Sequence, residues 1–149
     1  MSVRKKFDKE LYKENDEIAK RIASLVATKK YGYEVKQNPD QYGVDLLLFK
    51  NGLISGYAEA EIKTVWDTFN FPYENIQFPE RKIKFTNLGL PTMFCMANSL
   101  KDRALVVWGK DLRASPIVEV SNKYNAKGEL FFQVPLEKAI FYTIKLRTE

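Results

Sequence analysis

Gly43-Val44-Asp45-Leu46-Leu47-Leu48-Phe49-Lys50-Asn51-Gly52-Leu53-Ile54-Ser55-Gly56-Tyr57-Ala58-Glu59-Ala60-Glu61-Ile62-Lys63 is the stretch whose reading decides the fold. Val44 to Phe49 is an apolar run of strand length. Lys50-Asn51-Gly52 carries the Asn-Gly hairpin signal, and Leu53 to Val65 reads as the return strand. Residues two apart on a strand share a face. Tyr57, Glu59, Glu61 and Lys63 therefore lie on one side, with Ala58, Ala60 and Ile62 on the other. A row of ionisable groups on a strand of a covered sheet needs a reason. So does Asp45, a lone acid heading an apolar run, because a buried carboxylate is costly unless it is paired or bound to a metal.

Register decides whether these acids meet. A two-residue turn at Asn51-Gly52 pairs Lys50 with Leu53, sets Asp45 opposite Ala58 and turns Glu61 to the wrong side. One bulge in the second strand corrects this, and Gly56 is the obvious place for it. Asp45 then opposes Glu59, and Glu61 becomes its diagonal neighbour, with Cβ atoms about 5–8 Å apart. A three-residue loop restores the parity too but leaves Glu61 farther away. Without the bulge, Glu59 is the better partner for Asp45. Carboxylates so spaced suit Mg²⁺, a hard cation held by oxygen and water, with Mn²⁺ as its substitute. Such an ion polarises a phosphate and lowers the pKa of a bound water. Lys63 beside it would orient the water or stabilise charge developing on phosphorus.

The flanking sequence extends the pattern. Asp8 to Lys30 reads as a helix, with Leu11, Ile18, Ile22, Leu25 and Val26 on one stripe, Asp8 as N-cap and Lys29 and Lys30 in the last turn. A short strand is expected over Tyr33 to Lys36, and Trp66 to Tyr73 reads as an aromatic loop whose Trp66, Phe69 and Tyr73 either stack on bases or cap the core. Pro79 to Thr86 reads as a short helix opened by Pro79. Strands are expected over Thr92 to Ala97 and Ala104 to Trp108, a helical turn over Lys110 to Ala114, and short strands over Val118 to Val120 and Leu130 to Val134. Leu136 to Ile144 is ambiguous. The order gives an α/β domain, a mixed sheet with helices packed on it.

Composition limits the chemistry. The chain of 149 residues suits one domain, and its 24 Lys and Arg against 19 Asp and Glu suit a polyanionic partner. It has no histidine, which removes Ser-His-Asp and Cys-His catalysis and His-based zinc sites. The one cysteine, Cys95, lies in an apolar run and reads as a small buried hydrophobe, and internal disulfides are excluded. The N-terminal MSVRKKFDKELYKEN lacks the apolar core of a signal peptide, and no apolar stretch approaches the roughly 20 residues that span a bilayer. A soluble cytoplasmic chain with no membrane association is expected.

Asp45, a β-turn, then Glu61-Ile62-Lys63 resembles the D…(D/E)-x-K core of the PD-(D/E)XK nuclease superfamily, over roughly residues 8 to 109. The resemblance implies a single restriction-endonuclease-like domain over 1–149, a mixed β-sheet core flanked by helices. It implies a metal-dependent DNA endonuclease with Asp45, Glu61 and Lys63 as catalytic residues and Asp45, Glu61, Glu59 and Glu14 around Mg²⁺. The literal Pro39-Asp40 fits less well than Asp45. Many members set a Glu from the first helix near the metal, but here the position best aimed at the site is Asn15, with Glu14 beside it. An exposed charged helix face, including Glu10, Glu14 and Glu17, explains Glu14 equally. Arg81, Lys82 and Lys84 would grip phosphate, or form a solvated helix face. The implied substrate is DNA in preference to RNA, with branched or recombination intermediates as one option and a homodimer serving two strands. The alternative is a catalytically inactive nucleic-acid-binding protein of the same fold.

Overall fold

A computed structural model describes residues 9–122 and 125–146, with side chains over 13–121 and 128–146. Helix α1 spans Lys9–Tyr31, so the Asp8 cap and the Leu11 side chain lie outside what is described. There follow β1 (Glu34–Gln37), β2 (Leu46–Lys50), β3 (Leu53–Lys63), β4 (Asn75–Pro79), a 3-10 helix (Glu80–Thr86), β5 (Thr92–Asn98), β6 (Arg103–Trp108) and a short helix α2 (Gly109–Arg113). The chain ends with β7 (Ile117–Asn122), β8 (Asn125–Pro135), a 3-10 turn (Leu136–Lys138) and β9 (Ile140–Thr143). The strands form a six-stranded mixed sheet in the order β1-β2-β3-β5-β6-β9 and a three-stranded sheet in the order β4-β8-β7. The fold is mixed α/β.

The hairpin forms as its sequence dictates. Asn51 and Gly52 both have positive φ, 51° and 77°, the primed-turn geometry that matches strand twist. Lys50 pairs with Leu53 and Phe49 with Ile54, but Leu48 pairs with Gly56, so Ser55 is the extra residue of a bulge. Below it Leu47 pairs with Tyr57 and Leu46 with Ala58, the shifted register that faces Asp45 toward Glu59. Gly56 is buried here because β5 enters alongside: a Cβ on it would sit 2.9 Å from the Pro91 carbonyl oxygen, and that same oxygen accepts the Tyr57 N–H at 2.9 Å. Backbone cannot step aside as a side chain would. Gly56→Ala is therefore expected to lower unfolding free energy by about 1–3 kcal/mol, read as a reduced denaturant midpoint. An unchanged midpoint would mean that the β3–β5 junction is looser than this contact requires.

Two cores sit on the two faces of the large sheet. On one, α1 packs Ile22, Ala23, Val26 and Ala27 against Leu46, Leu48, Ala58, Met93, Cys95 and Val106. The buried stripe of α1 includes Ala19, Ala23 and Ala27, four residues apart, while Ile18 and Leu25 are only half-buried. Small residues draw the helix close to Ala58 and Ala60, and apolar periodicity weighted to large side chains overlooks them. Cys95 belongs to this core, and burial pushes its thiol up to about 12. Native protein at pH 8 is expected to resist iodoacetamide and to react stoichiometrically once unfolded. Rapid native alkylation, followed by mass spectrometry, would contradict this packing.

The other face departs from the expected helical cover. Ile76 and Phe78 of β4 and Phe132 and Val134 of β8 close over Phe94, Met96, Leu105 and Val107, with Phe85 of the 3-10 helix and Leu112 of α2 completing the layer. A second sheet, supplemented by short helical pieces, covers this side. Pro79 ends β4 and precedes the 3-10 helix instead of opening a helix. Trp66 is fully buried, edge-on to Phe71, its indole N–H on the Asn70 carbonyl. It is a core residue, so base stacking by Trp66 is ruled out. Phe69 and Tyr73 are both partly exposed, and the Arg103 guanidinium lies 4.5 Å from the Phe69 ring centroid.

Candidate functional site

Alternation on β3 sends Ala58, Ala60 and Ile62 into the α1 core and Tyr57 into the second one. Glu59 and Glu61 share the Tyr57 face and pair in register with Phe94 and Met96 of the parallel neighbour β5. The acids thus lie in the layer between the large sheet and the β4/3-10 wall. A void of about 10 Å³ lies among Glu59, Glu61, Phe78, Lys82 and Phe94, room for one water at most.

Asp45 sits just before β2, where backbone pairing gives way to a side-chain clamp. Its N–H donates to Glu59 Oε2 at 2.9 Å, and its Oδ2 accepts the Ala60 N–H at 2.8 Å. The Val44 carbonyl accepts from Asn38 Nδ2, which holds the preceding turn. Asp45 and Glu59 are thereby locked across the strands.

Glu59 is buried, and its second oxygen accepts from Lys82 Nζ at 2.6 Å. Burial raises its carboxyl to about 7; Lys82 opposes that rise, and the Asp45 charge adds to it. Both Glu59 oxygens are engaged. Glu61 is different. Burial raises its pKa; the Lys82, Lys63 and Arg81 charges oppose the rise and Asp45 adds to it. Among the described residues its carboxylate makes no hydrogen bond and no ion pair.

The remaining sequence candidates are distributed around this pair. Lys63 ends β3 with its ammonium 5.9 Å from the Tyr73 ring centroid, and Trp66 N–H on the Lys63 carbonyl fixes the strand end. Arg81 is exposed, and its charge reaches Glu61. Lys84 is exposed, its ammonium 4.9 Å from the Phe85 ring. Lys82, read as a phosphate contact, is the counter-ion of Glu59. Glu14 is exposed on α1, lining a groove with Glu17, Lys20 and Leu46, and makes no hydrogen bond to the β2–β3 acids. Lys20 of α1 feels the Asp45 charge: burial pulls its pKa down, but Asp16, Asp45 and Glu17 together outweigh that and raise it.

Among the described residues no three His, Cys, Asp or Glu side chains cluster around one point as a metal site. Two carboxylates are enough for Mg²⁺, whose remaining ligands would be waters on the solvent-accessible side of the half-buried Asp45 and Glu61, not in the void of about 10 Å³. Asp45 leaves one oxygen without a hydrogen bond among the described residues. Glu61, half-buried, leaves both free among the described residues, and a cation there would offset the burial that raises its pKa. The donor set is hard oxygen throughout and fits such an ion.

No protein-family model, curated protein or solved structure matches this chain. The site therefore rests on its own geometry. No helix among the described residues is long and apolar enough to cross a membrane. The sequence reading passed over two features. One is the Glu59–Lys82 pair. The other is β4, whose signal was present as the alternation Asn75-Ile76-Gln77-Phe78.

Proposed function

We propose that this chain is a metal-dependent DNA endonuclease with a restriction-endonuclease-like PD-(D/E)XK core, Asp45, Glu61 and Lys63 forming its active site. The observation that carries the reading is Glu61. It is a half-buried carboxylate under the charge of Asp45, without a hydrogen bond or ion pair among the described residues, and with Lys63 two residues on along the same strand face. Asp45 and Glu61 would hold Mg²⁺ or Mn²⁺, which when bound supplies charge neutralisation at the phosphate and an acidified water.

The protein's own residues account for the rest. The Ala60 and Asp45 amide bonds keep the Asp45 carboxylate from swinging. Glu59 holds that clamp, and Lys82 removes the like-charge burden Glu59 would otherwise put on its neighbours. Lys63 presents an ammonium where charge develops on the transferred phosphoryl group. Arg81, exposed beside Glu61, offers a bidentate grip on a backbone phosphate, and Lys84 a further cation along the strand.

The test is Mg²⁺-dependent cleavage of plasmid, single-stranded and branched DNA by wild type, Asp45→Asn and Glu61→Gln. Wild type is expected to cleave, and both variants to lose cleavage while keeping the wild-type circular dichroism spectrum. Cleavage that survives in both variants, or no cleavage of any substrate by wild type, overturns the reading. DNA binding without cleavage would assign the chain to inactive nucleic-acid-binding proteins of this fold.

A further inference from the structure

Beside Lys63 a groove of about 450 Å³ lies over the outer face of the β4–β8 pair of the small sheet. Its lining includes Lys63, Tyr73, Asn75, Gln77 and Gln133. Gln77 and Gln133 are directly paired across β4 and β8, on the face opposite the buried Ile76, Phe78, Phe132 and Val134. Asn75, Gln77 and Gln133 are half-buried, and among the described residues their carboxamides make no side-chain hydrogen bond. Half-buried amides in one concavity carry donors and acceptors that a ligand can satisfy. Tyr73 is 42% exposed and lies at the Lys63 end. A partly exposed ring with the Lys63 ammonium over one face and amides with free donors and acceptors match the three parts of a nucleotide: the other ring face takes the base face, the amides the base edge and the ammonium the phosphate.

The geometry points to this groove as the seat of one unpaired nucleobase, next to the phosphate that Lys63 contacts. The base stacks on Tyr73, and its edge meets Gln77, Gln133 and Asn75. A base held in a duplex cannot present its Watson–Crick edge to these amides, so the substrate class is DNA with an unstacked nucleotide at the cut: a single strand, a flap or a branch. Glu74, in the same lining, accepts from an exocyclic amino group and repels a second phosphate, which again favours a base over a backbone. The inference rests on the nuclease reading for the position of the phosphate, but base binding can be measured without turnover.

The probe is a short oligodeoxynucleotide carrying one 2-aminopurine, single-stranded or annealed to its complement, titrated with protein in Ca²⁺ buffer. Wild type and Asp45→Asn are expected to quench the single strand and to leave the duplex little changed. Tyr73→Leu is expected to lose the quenching and to weaken single-strand binding about tenfold to a hundredfold, and Tyr73→Phe to restore both. Gln77→Ala with Gln133→Ala is expected to weaken binding while retaining quenching. If Tyr73→Leu quenches and binds as wild type does, or if duplex and single strand bind alike, the groove is not a base site, whether or not the protein cleaves. If quenching follows this pattern but Asp45→Asn cleaves like wild type, the base site stands and the assignment of the cutting residues fails.

Discussion

Replacing Lys63 by Met is expected to lower the cleavage rate by about a hundredfold to a thousandfold, the usual loss when one preorganised donor to a developing charge is removed. Lys63 is held by its place at the end of β3, where the Trp66 N–H closes on its carbonyl and Ser99 N–H in turn closes on the Trp66 carbonyl. These bonds fix the backbone from which the side chain leaves, and the Tyr73 ring lies 5.9 Å from its ammonium. Met keeps most of the apolar stem, one atom shorter, and removes the charge with its three N–H donors. Divalent-ion binding, followed by calorimetry with Mn²⁺, should be retained, because the carboxylates of Asp45 and Glu61 are untouched and one positive charge that repels the ion is gone. Single-turnover kinetics at saturating DNA separates the chemical step from binding. A rate within about threefold of wild type would remove Lys63 from the chemistry.

Lys82→Ala is expected to be the most damaging exposed-to-half-buried change for stability. It leaves Glu59 buried with one hydrogen bond, from the Asp45 N–H, and with the Asp45 charge unopposed. Breaking a buried pair costs roughly 3–5 kcal/mol. Lys82 keeps some water contact, so the expected loss at pH 8 is at the lower end, about 3 kcal/mol or somewhat less. The pH dependence follows from the Glu59 carboxyl, raised to about 7 from its ordinary 4.5. Between those values the folded chain holds a proton that the unfolded chain has released, so this group lowers stability as pH rises through that window. Removing Lys82 raises the folded pKa further. The deficit of the variant should therefore be largest above pH 8 and shrink as Glu59 takes up its proton toward pH 5. Urea titrations of wild type, Lys82→Ala and Lys82→Ala with Glu59→Gln read this directly. The double variant should recover much of the loss at pH 8. A deficit independent of pH would show that Lys82 acts through packing on Phe85 alone.

The parts of the site that the sequence made legible are those whose causes are local. Asn51-Gly52 fixes a turn by its backbone preference, Gly56 marks the bulge because β5 leaves no room for a Cβ, and period two then assigns Glu59, Glu61 and Lys63 to one face. The helix over α1 follows from its apolar spacing, although the alanines that set its distance from the sheet carry little weight in such a count. The parts that were not legible depend on residues distant in the chain. The β4 strand is five residues long and acquires its meaning by pairing with β8, more than fifty positions away. Lys82 looked like one cation in a basic helical face. Its role is apparent only when the 3-10 helix brings it over a glutamate 23 residues earlier. Trp66 lay in a polar, aromatic stretch with no periodicity to reveal that the loop folds back into the second core.

The wall over the acids has a consequence for the order of events in folding. The β2–β3 hairpin closes through a two-residue turn, and the β5–β6 pair through a short one, so both form from neighbours in sequence. The wall cannot, because β8 must travel back to β4 and carry Phe132 and Val134 onto Phe94 and Met96. Glu59 and Glu61 are thus solvated acids of ordinary basicity on a nascent hairpin. They lose water as β5, Phe78 of β4 and Lys82 close around them, and β8 then secures β4 in that position, so the hairpin is built early and its acids are buried late.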